Sequence, residues 1–324
     1  MRILLLLTGL LFGSAHALAD CDAGRVVVQV LGSGGPELDD GRASSAYLVW
    51  VDGKARVLVD MGGGASLNFE RAGARLEDLD VVLFTHFHVD HSADFPVLIK
   101  AAYFSERSRD LPVFGPEGND WMPSARMFVE KTLGATGAWR YLSDFVDADE
   151  SAAFHLQVHD VALDRLHPRS FRVSNGLRVV AIAVHHGPLP ALAWRVEVAG
   201  CAVAFSGDMN NDYHSLVRLA KDADVLVAHN AIPEGAVGVA RRLHMPPSEI
   251  GRIAQRAGVR QLVLSHFMNR TLGREAQTRA VIRRTYVGPL FFARDLDRFP
   301  LMLDGWRRPG VTSLRDPVRN VGCP

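Results

Sequence analysis

Within seven residues, Thr85-His86-Phe87-His88-Val89-Asp90-His91, the chain carries three imidazoles and a carboxylate. They follow Asp80 to Phe84, a hydrophobic run that reads as a buried strand. On a strand, His86 and His88 project to the same side. Asp90 and His91 fall where the chain must turn into the next helix, so they can aim at a second point close by. This spacing fits two metal ions side by side. Burying three imidazoles and a carboxylate without a partner costs several kcal/mol, which makes a set of plain core histidines a poor explanation.

Further candidate ligands follow later apolar runs. Leu177 to Val184 reads as a strand ending at His185-His186-Gly187-Pro188, and Cys201 to Phe205 as one ending at Ser206-Gly207-Asp208. Asp224 to Ala228 leads to His229, and Gln261 to Leu264 ends at Ser265-His266. A two-metal hydrolytic site needs nitrogen and carboxylate ligands, ions about 3.5–4 Å apart and an open position for water. Every required residue type is present.

The stretch His-Phe-His-Val-Asp-His resembles the HxHxDH signature of the metallo-β-lactamase-fold hydrolases. The resemblance implies an α/β fold, a four-layer αββα sandwich with the site at the sheet edges. It also implies the ligand set. A first ion would take His86, His88 and His186, a second Asp90, His91 and His266, and Asp208 would bridge them. The cofactor implied is two zinc ions, or another divalent transition metal, per chain. The family pattern places a histidine directly before the glycine, which selects His186 and leaves His185 pointing the other way. Two such ions bring the pKa of a water toward neutrality and stabilise charge on the oxygens under attack. Asp90 would orient that water. His244, 22 residues before His266, resembles the general-acid histidine of the tRNA-processing branch. An ordinary histidine at a helix start is the rival reading of the same residue. His229 is a candidate support for a ligand.

Strands and turns must place these residues. Arg25 to Leu31 reads as a strand running into Gly32-Ser-Gly-Gly-Pro36, which lacks the Gly-Lys-Ser/Thr of a phosphate loop. Ser44 to Val51 and Ala55 to Asp60 read as two strands joined at Asp52-Gly53. Asp60-Met-Gly-Gly-Gly64 resembles the family's D-x-G-x-G turn beneath its metal site. The order LGSGGP, RASSAYLV, VLVDMGGG is similar to that of the ribonuclease Z and arylsulfatase-like branches in particular. Helices are predicted at Ser66 to Ala74, Ser92 to Phe104, Met122 to Leu133, Trp139 to Val146 and Pro247 to Ala257. Residues 105–175 show a short strand at Val113 to Pro116 and otherwise read as a helical lid or spacer, with Trp121, Phe128, Trp139 and Tyr141 offered to a leaving group or to plain packing. His155, His159 and His167 in that segment receive no role.

The first residues resemble a secretory signal: Met1-Arg2, an apolar run from Ile3 to Phe12, then small residues up to Ala19. The expected organisation is a signal peptide at 1–19 and one hydrolase domain at 20–324, secreted or periplasmic. A lipid anchor at Cys21 is not expected, because Asp20 stands where such signals need a small neutral residue. No later apolar stretch is long enough to span a bilayer. Three cysteines in an exported chain allow one pair. Cys21 and Cys323 are the expected pair, with Cys201 a small buried apolar residue.

Composition narrows the partner. Of 324 residues, 48% are hydrophobic and 22% charged, and 36 basic residues balance 36 acidic ones. That balance gives no overall pull toward nucleic acid or acidic membrane. The expected partner is a small anionic ester, a phosphodiester or sulfate ester; nucleic acid and membrane are not, and a homodimer is compatible with the sequence. Asp208 argues against a β-lactamase, where cysteine or serine usually stands, and a glyoxalase-type thiolesterase would need a G-H-T-x-G-H stretch that is absent. A ribonuclease Z-like nuclease is the alternative. Against it stand the signal-like start and the short His186-to-Asp208 interval, where tRNA-processing members carry a long Gly/Pro-rich arm.

The complete ligand set predicts about two equivalents of a transition metal per chain after reconstitution. Elemental analysis returning less than about half an equivalent would remove the assignment.

Overall fold

A computed structural model describes residues 21–174 and 176–301. The proposed signal segment and Cys323 lie outside them. The described residues form two seven-stranded sheets with helices on their outer faces. One sheet holds β1 (Val26–Gly32), β2 (Ala46–Val51), β3 (Lys54–Val59), β4 (Val81–Leu83), β5 (Leu111–Pro116), β6 (Leu156–Val161) and β14 (Arg298–Pro300), in the order β14-β1-β2-β3-β4-β5-β6. The other holds β7 (Arg169–Ser174), β8 (Leu177–Ala183), β9 (Leu192–Val198), β10 (Cys201–Phe205), β11 (Val225–His229), β12 (Gln261–Ser265) and β13 (Leu290–Phe292), in the order β13-β12-β11-β10-β9-β8-β7.

Side-chain alternation sorts the strand residues into three cores. Val28, Val30, Val57, Val59, Val179, Trp194, Val203 and Val227 fill the space between the sheets. Leu48, Leu58 and Val82 face outward onto α1 (Ala65–Arg71), α3 (Phe95–Ala101) and α4 (Ala125–Leu133). Ile182, Leu226 and Leu264 face outward onto α7 (Pro247–Arg256) and α8 (Glu275–Ile282). Because both faces of these strands are covered, they read as unbroken apolar runs. This is the expected αββα sandwich.

The two sheets are pinned together beside the histidine motif. Trp194, fully buried on β9, donates its indole N–H to Phe84 O (2.8 Å), and Leu192 N donates to Thr85 O (2.9 Å). Strands β3 to β6 run parallel, as do β10 to β13. Their carboxyl ends therefore deliver the following loops to one edge.

Three local expectations are corrected. The predicted helix from Ser92 to Phe104 is α3 followed by a 3-10 turn, Ala102–Phe104; a separate short helix, α2 (Val89–Ser92), ends at its expected start, and Asp94 at the head of α3 accepts from Ser66 N (2.9 Å) and Oγ (2.7 Å). Residues 105–175 are not a helical lid. They supply β5, β6 and β7, and the predicted helix at Trp139 to Val146 is a single 3-10 stretch, Arg140–Phe145. Arg107, buried beside Phe154, anchors the start of this segment by donating to the carbonyls of Leu76, Leu79 and Asp110. The third correction is the disulfide: Cys21 pairs with Cys201, with Cα atoms 4.4 Å apart. The Ala199-Gly200 turn, both residues at positive φ, returns the chain at β10, and Asp22 N donates to Ala199 O there (3.2 Å). Cys201 is thus a bonded partner rather than a filler, and its contact spans 180 residues of sequence.

Peptide mapping without reduction should recover a Cys21–Cys201 linked pair. The double variant Cys21→Ser/Cys201→Ser should lose roughly 2–5 kcal/mol in denaturant unfolding. A Cys21–Cys323 peptide would refute the pairing.

Candidate metal centre

Each site residue leaves a strand end where the backbone must turn. His86 and His88 follow β4, and His88 caps α2, which carries Asp90 and His91. His186 follows β8, Asp208 follows β10, His229 ends β11 and His266 follows β12. His266 adopts a positive φ of 56°, an uncommon conformation for a non-glycine residue that turns it back over the edge.

Two groups of potential ligands result. One contains His86, His88, His186 and Asp208, the other His91, Asp208, His229 and His266, and within each group the donor atoms lie within 4.8 Å of one another. Asp208 belongs to both. Asp90 joins the second region, its Oδ2 being 3.3 Å from His266 Nε2 and 3.6 Å from His91 Nε2. The structure therefore brings all seven sequence-predicted ligands together. His185 stands apart, its Nδ1 3.7 Å from Asp212 and its ring against Tyr213. His244 closes the cluster, with Nδ1 3.8 Å from Asp208 Oδ2 and its ring 5.5 Å from that of His186.

The hydrogen bonds behind the cluster decide which ring nitrogens face inward. Asp60 accepts from His91 Nδ1 (2.8 Å), Thr85 N (2.7 Å) and Thr85 Oγ1 (2.8 Å). With its proton committed to Asp60, the Thr85 hydroxyl can only accept from His86 Nδ1 (3.1 Å). Leu243 O accepts from His186 Nδ1 (3.0 Å). His86 and His186 are thereby held as Nδ1–H tautomers and His91 keeps its Nδ1 proton on Asp60, and each leaves a buried Nε2 with no hydrogen-bond partner. His229 is different. Its Nδ1 donates to Asp208 Oδ1 (2.7 Å) and its Nε2 meets the Tyr47 hydroxyl (3.0 Å), so it supports Asp208.

Electrostatics point the same way. Burial, then His91 and His186, hold His86 well below its ordinary pKa, and burial likewise lowers His88 and His186. These rings present neutral lone pairs. Burial would also lower His266 and His91, but Asp208 raises the first and Asp90 with Asp60 the second. Burial would raise Asp208, yet His266 and His244 keep it well below the carboxylate range. Inward lone pairs beside carboxylates that draw positive charge are the donor set of a divalent metal ion.

Sequence reading missed Thr85, Tyr47 and the Leu243 carbonyl, whose roles exist only across strands or loops, and saw Asp60 only as the first residue of a turn. Of the proposed wall residues, Phe128 packs in the core against Phe87 (4.5 Å), whereas Trp121, Trp139 and Tyr141 are exposed. His155 and His167 lie beside Asp110 and Asp164, and His159 stacks on Phe114.

His186→Ala should abolish turnover and weaken metal retention far more than His185→Ala, and Asp208→Ala should do both. Asp60→Asn should cost about 10–100-fold in metal affinity by releasing the His91 and His86 tautomers. Metal titration of the four variants checks the order, and a larger loss at His185 than at His186 would reverse the ligand choice.

Comparison with known proteins identifies the family and the fold. Residues 55–267 match the family model of the β-lactamase superfamily domain. The chain is 29% identical over 284 residues to a ribonuclease Z of Mycobacterium bovis, covering 84% of this chain and 96% of that one. The metallo-β-lactamase fold protein YhfI from Bacillus subtilis superposes with a TM-score of 0.65 at 21% identity, over 85% of this chain and 99% of that chain. Human tRNase Z, short form, superposes with a TM-score of 0.65 at 19% identity, over 86% of this chain and all of that chain (100%). The chain belongs to the β-lactamase superfamily and is a hydrolase of the metallo-β-lactamase fold, a fold that implies divalent-metal binding.

Proposed function

We propose that this protein is an exported dinuclear hydrolase of a small phosphodiester or sulfate ester. The proposed ligands are His86, His88 and His186 for one divalent ion, zinc or a similar metal, and Asp90, His91 and His266 for a second, with Asp208 shared. Ions held there supply Lewis acidity that activates water and neutralises charge on the ester oxygens.

The protein's own groups do the rest. Asp90 is ionised: burial would raise its pKa, but His91 and His266 lower it well below the carboxylate range. It can therefore accept a hydrogen bond from an attacking water and orient it. His244 is held down to about 3, by burial first and then by His266, His186 and Arg270, against the opposing pull of Asp208. Its imidazole is neutral at pH 7. An anionic ester bound beside it acts in the same direction as Asp208 and raises its proton affinity, which suits it to pass a proton to the leaving oxygen.

One observation carries the choice of a small substrate. Between His186 and Asp208 the chain forms only the β9–β10 hairpin, closed by Ala199-Gly200 and paired along its length inside the sheet. No arm projects there to grip a folded RNA. Export is supported by the signal-like N-terminus and by the Cys21–Cys201 bond, a linkage typical of oxidising compartments. The second reading, a ribonuclease Z-like endonuclease, is favoured by the sequence relatives, which align over nearly their whole length.

Metal-loaded protein should hydrolyse bis-aryl phosphate or aryl sulfate with higher catalytic efficiency than it cleaves precursor tRNA or cephalosporin in the same buffer. His244→Ala should slow esters of poor leaving groups by about 10²–10⁴-fold and nitrophenyl esters much less. Efficient, salt-sensitive tRNA cleavage without small-ester turnover would decide for the nuclease.

A further inference from the structure

The loops around the cluster end in apolar side chains. Val89 lies inside the metal motif, between His88 and Asp90; Asp90 and His91 are buried, yet Val89 is 77% exposed. Leu38, 98% exposed, sits on residues 33–43. That loop is held against the site: Gly35 N donates to Phe267 O (3.0 Å), and a Cβ at Gly35 would lie 2.8 Å from the His266 ring. Trp121, 71% exposed, sits on residues 117–124, where Asn119 Nδ2 donates to Pro188 O (2.8 Å), two residues past His186. Val237 and Val239, 82% and 62% exposed, sit on the segment that leads through α6 (Gly238–Leu243) into His244. This segment is tied to the cluster by the His186–Leu243 hydrogen bond and by Leu243 against Gly187.

Five large apolar side chains are thus presented by four segments, each anchored on a site residue or its neighbour. Isolated exposed hydrophobics mean little, but a set gathered at the rim of a site marks a surface that binds apolar material. The rim's charge is mixed, with Arg241 and Arg242 on the α6 segment and acidic groups on two others, rather than the continuous basic surface that a polyanion needs. Residues 33–43 and 117–124 carry Glu37, Asp39, Asp40, Glu117 and Asp120 against one guanidinium, Arg42, which is committed to Ser33 and Ala293. Nucleic-acid binding relies on neutralising many phosphates with basic groups. A single anionic head bearing an apolar substituent avoids that conflict, since the head enters the cluster and the substituent covers the rim.

We infer, building on the ester-hydrolase reading above, that the substrate is an amphiphilic ester: an anionic phosphate or sulfate head bearing an aryl or medium-length alkyl group that packs on Leu38, Val89, Trp121, Val237 and Val239. These residues set specificity.

The test uses metal-loaded mature protein and 4-nitrophenyl phosphodiesters whose second ester is methyl, hexyl or phenyl. KM should fall at least about tenfold from methyl to hexyl or phenyl, within the roughly fourfold per methylene that full burial allows. In Trp121→Ala and in Val237→Ser/Val239→Ser that advantage should shrink severalfold. Equal KM values across the series, or an advantage unchanged in both variants, would overturn the inference. Calorimetry with methyl-, hexyl- and phenylphosphonate separates it from the reaction itself. If no ester turns over but affinity still rises with the apolar group, the reaction reading fails and the rim assignment stands. If affinity does not rise, or precursor tRNA displaces hexylphosphonate with steep salt dependence, the rim assignment falls.

Discussion

Asp60 is the constraint on which the site depends. A carboxylate with no exposure is costly, and burial pushes its pKa up. Three donors offset that cost: His91, Thr85 N–H and the Thr85 hydroxyl. Meeting Asp60's need fixes the proton of His91 on Nδ1 and, through Thr85, that of His86. The same bonds that stabilise a buried charge therefore aim two lone pairs at the cluster. A neutral residue at position 60 would relieve the burial penalty and lose the orientation.

The cluster also requires that the two sheets not slide. His86, His88, Asp90 and His91 come from the first sheet's edge, while His186, Asp208 and His266 come from the second's. The Trp194–Phe84 and Leu192–Thr85 bonds cross between the sheets one or two residues from His86. In a tightly packed core, displacement of either sheet would cost packing throughout. Glycines allow the close approaches this demands. A side chain at Gly62 would strike the Asp90 carbonyl, its Cβ lying 2.1 Å from that oxygen.

Around this centre, the rim belongs to loops and short helices outside the two sheets. The segment entering His244 contributes no buried side chain from α6, yet its last carbonyl orients His186. The proposed metal geometry and the proposed substrate contact would thus be coupled through a segment that can vary without disturbing the sandwich. A shared αββα frame can serve different esters in this way, and the function proposed here rests on the site and its rim rather than on the fold.

The metal motif, the strands carrying its partners and the apolar runs of a doubly covered sheet were legible in the sequence, because local spacing and strand ends determine them. His186 could be separated from His185 only through family resemblance; in the structure the Leu243 carbonyl, 57 residues away, draws one ring into the cluster. Residues 105–175 misled because sheet-edge strands such as β7 alternate weakly and mix with polar turns, leaving little periodic signal. The Cys21–Cys201 bond, the Asp60–Thr85–His86 relay, the choice of Asp208 as the ligand that His229 supports and the Tyr47 contact behind His229 were decided by tertiary structure alone. Each joins groups that only strand pairing or sheet packing brings within reach, and no local propensity records such a contact.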